Sequence, residues 1–200
     1  MAFVSLLTVF VLGGTGEVGR ELVQELVINP SIGKVVLIGR RKHELLSEQL
    51  DKVEEAIIDF DNIENHSHLF EGFDAGYCCL GTTRSKSGKE GFIKVDYHYV
   101  FQSARLAKQG GCKHFHLVSS QGANKDSWFL YPQIKGQVET EVMNLDFERL
   151  SIYRPALLLC ERKVNLFYLF FFFFCKLNYL PINILVSLSQ TVIILILYYM

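Results

Sequence analysis

The chain has 200 residues, of which 50% are hydrophobic and 20% are charged, and its formal net charge is −1. This length suits about one domain, and the balance of charged and apolar residues excludes a disordered acidic or basic chain. It also provides no general electrostatic attraction to nucleic acid, so no direct nucleic-acid partner is expected.

The chain opens with an apolar run that lacks the basic start of a signal peptide and is followed at once by glycines. We predict that this run is the first strand of a sheet, at 8–12, with little chain before it. Similar short runs, rich in β-branched residues, follow at 34–38, 55–58, 75–80, 114–118 and 150–153. Most of them do not alternate between apolar and polar residues, as expected for strands that are covered on both faces.

Amphipathic helical patterns separate these runs, at 17–28, 91–108 and 133–145, with weaker ones at 44–50 and 65–70. Strands that alternate with helices indicate βαβ units with right-handed crossovers. The sequence therefore predicts an α/β fold built on a parallel sheet. We expect this domain to occupy residues 1–162 and to be incomplete at its C-terminus, before a hydrophobic tail over 163–200.

The most informative stretch, Gly13-Gly-Thr-Gly-Glu-Val-Gly19, joins the first strand to the first helix. It fits the spacing G-x-x-G-x-x-G from Gly13, and G-x-G-x-x-G from Gly14, with Gly16 and Gly19 common to both. Such glycines permit a tight turn, a close approach of backbone to a pyrophosphate, and packing of the helix on the strand. The helix N-terminus then presents free N–H groups to the phosphates. We predict a dinucleotide site here; the alternative is an ordinary glycine turn.

The end of the second strand indicates which dinucleotide the chain binds. An NAD site usually has a carboxylate about 20 residues after the glycines, where it accepts a hydrogen bond from the ribose 2′-hydroxyl. Arg40 and Arg41 stand at that place instead. Because a guanidinium group suits a 2′-phosphate, the pair favours NADPH over NADH. The alternative is a solvated basic turn.

A candidate catalytic set follows the fifth strand. Ser119 and Ser120 stand at its end, and Tyr131 precedes Lys135 by four residues, so that both lie on one face of a helix. A lysine ammonium beside a phenol lowers the phenol pKa and makes it a usable proton donor near neutral pH. A serine hydroxyl at the mouth of the strand is suited to hold a substrate carbonyl.

Taken in order, these motifs resemble an atypical, extended-type short-chain dehydrogenase/reductase. The residues that carry the resemblance are the glycine loop, Leu80-Gly81, Ser119-Ser120, Tyr131 with Lys135, and Arg154-Pro155. The blocks 35–41, 77–84, 90–96 and 110–115 narrow the resemblance to one NADPH-binding, oxidoreductase-like member of that family. The resemblance covers residues 8–162 and implies a Rossmann-type doubly wound parallel sheet with strand order 3-2-1-4-5-6.

The resemblance implies a role for each matching residue. The cofactor contacts that it implies are Thr15, Gly16, Glu17 and Val18 along the pyrophosphate, Arg40 and Arg41 at the 2′-phosphate, Leu80 and Gly81 at a ribose, and Leu158 at the nicotinamide end. It further implies that Tyr131 and Lys135 form the catalytic pair and also touch the cofactor. Of the two serines, Ser120 is preferred over Ser119 for orienting the carbonyl.

The resemblance also implies two classes of function. One is an NADPH-dependent reductase of an unidentified small-molecule carbonyl. The other is a tumour-suppressor-like, non-catalytic regulator that senses NADPH and acts on nuclear import, transcription or apoptosis through protein partners such as a nuclear import receptor. The expected location is the cytoplasm, with the nucleus or nuclear envelope as alternatives.

The five cysteines are odd in number and irregularly spaced, which favours buried reduced thiols over a disulfide framework or a zinc site. His114 and His116 stand two apart on a predicted strand and so point to the same face. Without a third ligand nearby, packing is favoured over metal binding, and no metal site is predicted.

The last 38 residues differ sharply from the rest, because of all charged side chains only Lys163 and Lys176 follow Arg162. Three interpretations remain open. The tail is dominated by residue types with codons made only of A and T, which favours translation of noncoding sequence and hence a truncated isoform. The uncharged run 177–200 is long enough for a membrane anchor. The third interpretation is a divergent packed lobe.

Overall fold

The computed structural model describes residues 6–43 and 51–156 of the chain. It contains a parallel sheet of six strands in the order β3-β2-β1-β4-β5-β6, which confirms the predicted Rossmann-type topology. The strands are β1 Leu7–Leu12, β2 Ile32–Gly39, β3 Val53–Ile57, β4 Ala75–Cys78, β5 His114–Val118 and β6 Arg149–Tyr153. The predicted boundary at 162 and the three interpretations of the tail lie outside the described residues.

The helical elements connect these strands in the predicted order. They are α1 Glu17–Ile28, a 3₁₀-helix Phe60–Phe70, α2 Arg84–Ile93, a π-helical segment Lys94–Tyr99, α3 Val100–Gln109 and α4 Leu130–Met143. The helix predicted at 91–108 therefore begins earlier, at Arg84, and has a kink at Gly88 where φ is 70°. The helix predicted at 44–50 lies outside the described residues. Among the described residues, the helices are too short or too polar to cross a membrane.

The central strand β1 shows why the predicted strands lack alternation. Its residues Val9, Phe10, Val11 and Leu12 are all fully buried. Phe10 and Leu12 belong to the main hydrophobic core. Since successive side chains of a strand point to opposite faces, Val9 and Val11 are buried on the other face. Both faces of the sheet are therefore covered at this strand, as in other parallel sheets.

The main core is organised around the ring of Phe10. This ring meets Phe70 and Phe73 edge-on, with centroids 5.5 and 5.2 Å away. Gly76 is the residue of β4 that pairs with Phe10, and a Cβ atom there would lie 2.2 Å from the ring. The glycine in β4 is therefore required by the aromatic packing above it.

The cysteines of the described residues are free thiols: Cys78 and Cys112 are buried and Cys79 is partly buried. Burial raises the pKa of the Cys78 and Cys112 thiols to about 12. These thiols are thus protonated and act as apolar core groups. Cys160 and Cys175 lie outside the described residues.

A buried polar cluster lies across β4, β5 and β6, and we call it the histidine cluster: Tyr77, His114, His116, Ser151 and Tyr153. The two imidazole rings have centroids 3.8 Å apart, which confirms that they share a face. His116 stacks on Tyr77 and its Nδ1 lies 2.9 Å from the Tyr153 hydroxyl, while His114 is hydrogen-bonded to Ser151. Within the described residues, no group of metal-ligating side chains is placed to hold an ion.

Burial lowers the pKa of His116 to about 3, and the neighbouring His114 and Arg149 contribute to the shift. The pKa of His114 is lowered as well, first by burial and then by Arg149. Both rings are therefore neutral at pH 7, where they pack as aromatic groups.

The histidine cluster predicts a loss of stability in acid. Below an ordinary histidine pKa of about 6.5, the unfolded chain takes up a proton that folded His116 refuses, so the free energy of unfolding falls as the pH drops. For His116 alone we expect a loss of about 2 kcal/mol between pH 7 and pH 5. Urea unfolding as a function of pH measures this loss.

Two variants make the attribution specific. His116→Asn should flatten the pH dependence, whereas His68→Asn, at an exposed histidine of the 3₁₀-helix, should not. An unchanged pH profile in His116→Asn would contradict the assignment.

Candidate functional site

The glycine loop joins β1 to α1 in a conformation that only small residues permit. Gly13 has a φ of 75°, and a Cβ atom on it would lie 2.6 Å from the carbonyl oxygen of Cys79. A Cβ on Gly19 would lie 2.3 Å from the carbonyl oxygen of Gly13. The first glycine therefore allows the turn and the last allows α1 to pack on it, as in a dinucleotide-binding loop.

The start of α1 is open to an anion. The residue before the helix, Gly16, has no side chain that could accept hydrogen bonds from the first N–H groups of the helix. Thr15 is half-buried, while Gly16 and Glu17 are exposed at the same place. Free N–H groups at the positive end of a helix dipole are suited to a pyrophosphate. The residues present thus fit the phosphate part of a dinucleotide.

The basic turn follows β2 directly beside this loop. Both Arg40 and Arg41 are exposed. The residue before them, Gly39, is the last of β2, and its carbonyl accepts a hydrogen bond from the N–H of Ile58. Asp61 is not among the predicted site residues. Its carboxylate accepts hydrogen bonds from Lys94 and Tyr99 at 2.8 and 2.6 Å. These two partners lower the pKa of Asp61, with a smaller contribution from Arg40. The closer partners of the Asp61 carboxylate are therefore Lys94 and Tyr99, and Arg40 interacts with it more weakly.

The main polar contact of the site is a buried ion pair between the π-helical segment and α4. The ammonium of Lys135 lies 2.8 Å from Oδ1 of Asp96, and the two side chains are only 6% and 1% exposed. Burial raises the pKa of Asp96, and the Lys135 ammonium opposes that shift. The backbone N–H of Thr82 donates to the second oxygen, Oδ2, at 2.8 Å.

The loop after β4 crosses directly over this ion pair. A Cβ atom on Gly81 would lie 3.5 Å from Oδ1 of Asp96 and 3.9 Å from Nζ of Lys135. Leu80, Gly81 and Lys135, which were predicted separately as cofactor contacts, are thus brought together at the carboxyl end of β4. This is the edge at which parallel α/β sheets bind their ligands.

Asp96 is not among the predicted site residues, although the sequence contains a signal for it. The helix predicted at 91–108 has an apolar stripe that contains Phe92, Tyr99 and Val100, and Asp96 falls within that stripe. A carboxylate in a buried stripe requires a cationic partner. Its place in a π-helical segment is a second signal, because such segments occur frequently at functional sites.

Tyr131 stands at the mouth of the site on the first turn of α4. It is 46% exposed, and its ring stacks on Phe92 with centroids 5.5 Å apart. The expected action of Lys135 on this phenol remains a prediction, because the contact that the structure shows for the ammonium is with Asp96.

The two serines differ in their surroundings. Ser119 is 6% exposed, its N–H donates to the carbonyl of Tyr153, and its hydroxyl has no hydrogen-bond partner. The hydroxyl of Ser120 donates to the carbonyl of Gln121 at 3.2 Å. The structure thus provides a free buried hydroxyl at Ser119 and an engaged one at Ser120. Leu158, the predicted contact at the nicotinamide end, lies outside the described residues.

Two further contacts hold α4 in place. Arg154, just after β6, donates two hydrogen bonds to the buried carboxylate of Glu139, at 3.0 and 2.5 Å. A Cβ atom on Gly136 would lie 2.1 Å from the backbone nitrogen of Lys125, so this glycine lets the loop after β5 rest on the helix. The helix that carries Tyr131 and Lys135 is therefore fixed from both sides.

Comparison with known proteins agrees with this geometry. A profile described as NAD(P)H-binding matches residues 13–146. The chain belongs to this NAD(P)H-binding family. It is 50% identical to Protein HTATIP2 of Rattus norvegicus over 156 residues. This alignment covers 78% of this chain and 64% of the rat protein. It is 36% identical to Protein FMP52-1, mitochondrial, of Scheffersomyces stipitis, over 80% of this chain and 70% of that protein.

Solved structures of low sequence identity share the fold. Pen from Bacillus thuringiensis superposes with a TM-score of 0.70 at 16% identity, over 88% of this chain and 58% of its own. UDP-glucuronic acid 4-epimerase from Bacillus cereus, in complex with NAD, superposes with a TM-score of 0.62 at 16% identity. The match covers 76% of this chain and 57% of the epimerase chain.

These matches confirm the resemblance to short-chain dehydrogenases/reductases. They also confirm the closer resemblance of blocks 35–41, 77–84, 90–96 and 110–115 to the Tat-interacting tumour-suppressor protein of thirty kilodaltons. The chain is an NAD(P)H-binding protein of this family, and it spans less than two thirds of the length of the rat relative.

The expected location was wrong. The relatives from Scheffersomyces stipitis, Candida albicans and Candida glabrata are all named as mitochondrial proteins, which contradicts a cytoplasmic or nuclear location. The expectation had come from the resemblance.

The Asp96–Lys135 pair predicts a large and reciprocal effect on stability. Asp96→Asn leaves a buried ammonium without its counter-charge, so the free energy of unfolding should fall by about 3 kcal/mol or more. Adding Lys135→Met should restore most of this loss, since removal of both charges is often nearly neutral. Urea unfolding of the single and double variants measures both effects.

An exposed ion pair is the matched control. Lys34 and Glu54 are 43% and 65% exposed, so Glu54→Gln should change the free energy of unfolding by about 0.5 kcal/mol or less. An equally small effect of Asp96→Asn would contradict the assigned role of the buried pair.

Proposed function

We propose that this chain is an NADPH-dependent oxidoreductase that reduces a small carbonyl compound. The observation that carries the proposal is the buried Asp96–Lys135 pair, which lies beneath Gly81; its lysine stands on the same helix as the exposed phenol of Tyr131. A buried cation that is paired with a carboxylate at the ligand-binding edge of the sheet is expected at an active site rather than on an ordinary surface.

The proposed reaction requires one proton and one hydride. When bound, a reduced nicotinamide cofactor supplies the hydride that adds to the carbonyl carbon. The hydroxyl of Tyr131 donates its proton to the carbonyl oxygen, and the product is the alcohol. Lys135 lies on the same helical face four residues later, and in this proposal its positive charge favours the phenolate that remains.

Asp96 is a positioning residue in this proposal. Its carboxylate holds the lysine ammonium in one place and is itself held by the N–H of Thr82. The substrate carbonyl needs a further hydrogen-bond donor. Ser119 suits this role because its buried hydroxyl has no hydrogen-bond partner. Ser120, which sequence analysis preferred, is the alternative. Replacement of each by alanine distinguishes them.

Support for NADPH over NADH comes from the basic turn after β2. Arg40 and Arg41 are exposed where an NAD site has a carboxylate, and guanidinium groups bind phosphate in a bidentate way. The names of the fungal relatives support a mitochondrial location for this chain as well.

A specific observation favours a second function, a regulator that binds NADPH and a partner protein without turnover. Trp128 is 100% exposed and Phe129 is 77% exposed, next to Tyr131. Exposed aromatic residues of this kind are common at protein interfaces. The two functions differ in whether NADPH is consumed.

The catalytic proposal predicts that Tyr131→Phe lowers NADPH oxidation by about 100-fold or more, because it removes only the proton donor. Absorbance at 340 nm, recorded across a panel of aldehydes and ketones, measures the rate. Tyr97→Phe, in the π-helical segment, is the control and should retain the wild-type rate. Turnover that survives in Tyr131→Phe would overturn the assigned role, and NADPH binding without turnover of any carbonyl would favour the regulator.

The cofactor proposal predicts that Arg40→Ala and Arg41→Ala each weaken NADPH binding about tenfold and leave NADH binding unchanged, because only NADPH carries the 2′-phosphate. Titration calorimetry gives both dissociation constants. Arg105→Ala, at an exposed arginine of α3 that pairs with Glu64, is the control. A wild-type chain that prefers NADH would refute this part of the proposal.

A further inference from the structure

His43 follows the basic turn and lies between the end of β2 and the glycine loop. A Cβ atom on Gly14 would lie 2.4 Å from Nε2 of its ring, and one on Gly39 would lie 3.9 Å from Cε1. The imidazole therefore rests directly on the backbone of Gly14, and any side chain larger than hydrogen at that position would collide with it. This contact joins two segments that are far apart in sequence.

The ring of His43 is buried with its polar atoms unused. The side chain is 7% exposed, and neither Nδ1 nor Nε2 has a hydrogen-bond partner. Nδ1 lies 3.3 Å from Oε1 of Glu55, but without the alignment of a hydrogen bond. A buried nitrogen without a hydrogen-bond partner is destabilising, so such atoms call for a ligand or water that completes them.

The backbone of His43 is anchored independently of its ring. Its N–H donates to Oε1 of Glu55 at 2.7 Å, and Glu55 lies on β3 in register with Leu37 of β2. The position of the ring is thus set by the sheet. The same hydrogen bond engages the carboxylate of Glu55, two residues before the last pair of β2 and β3.

The surroundings favour a phosphate over a ribose hydroxyl as the missing partner. In a dinucleotide site of this fold, the adenosine ribose extends from the glycine loop to the end of the second strand, which are the two places that His43 joins. An NAD site would offer a free carboxylate there, but Glu55 is engaged by His43 and the exposed neighbours Arg40, Arg41 and Lys42 are all cationic.

We propose that His43 is a specificity-determining residue whose Nε2–H donates a hydrogen bond to the 2′-phosphate of NADPH, beside Arg40 and Arg41. Nε2 carries a proton in the imidazolium ion and in one of the two neutral tautomers, so either form can donate. This inference rests on the proposed preference for NADPH. It adds a residue that acts from inside the site, whereas the two arginines act from its rim.

The test uses the full chain and measures binding, so that it does not depend on a substrate. Titration calorimetry with NADPH, NADH and 2′,5′-ADP is compared among wild type, His43→Leu and His43→Gln. Leucine keeps an apolar side chain but removes the donor, while glutamine retains an N–H donor. His68→Leu, at an exposed histidine, is the matched control, and thermal unfolding establishes that each variant is folded.

We expect His43→Leu to weaken NADPH and 2′,5′-ADP binding about tenfold and to leave NADH within about twofold, since one hydrogen bond to a charged group is lost. His43→Gln should lie between wild type and His43→Leu. If His43→Leu does not fold, the same comparison between His43→Gln and wild type decides, with a loss expected for NADPH and 2′,5′-ADP only.

Three outcomes would overturn the inference while the proposed function stands. They are unchanged NADPH binding in both variants, an equal loss for NADPH and NADH, and tighter binding of both, which would mean that the ring obstructs the site. A wild-type chain that binds NADH as tightly as NADPH would instead refute the proposed cofactor preference, and the inference with it.

Discussion

The buried ion pair between Asp96 and Lys135 is the interaction on which the site depends. It joins the π-helical segment to α4, and the loop after β4 closes over it through Gly81 and the N–H of Thr82. Charges that are this deeply buried are tolerated only when each has its partner, so the three elements must come together in one arrangement. Tyr131 lies on the same helix and takes its position from that arrangement.

The sheet topology explains why the site has two ends. The chain leaves β1 toward β2 on one side and later returns to β4 on the other, so a crevice opens at the carboxyl end of the central strand. The glycine loop, the basic turn and His43 stand on the β2 side, where phosphates are suited to bind. Gly81, Lys135 and Tyr131 stand on the β4 side, where the proposed chemistry takes place.

Similarity in sequence predicts the fold of this chain better than it predicts the cellular location or the substrate. The fold persists at 16% identity among solved structures, because it depends on buried patterns and glycine positions that many sequences satisfy. Cellular location does not follow from the fold, and the names of the fungal relatives overturned the expectation taken from resemblance alone. Substrate choice is also separate from the fold, since the site and not the architecture selects it.

Local pattern was sufficient for the six strands and the glycine loop, because strand burial and glycine spacing are properties of neighbouring residues, while the order of the strands came from the family resemblance. It also located Tyr131 and Lys135, whose spacing of four places them on one helical face. Other features of the site depend on how distant segments pack. They are the pair of Asp96 with Lys135, the contact of His43 with Gly14, and the buried hydroxyl of Ser119 that has no hydrogen-bond partner. Only the tertiary structure decided these, because burial and unmet hydrogen bonds arise when separate elements pack together.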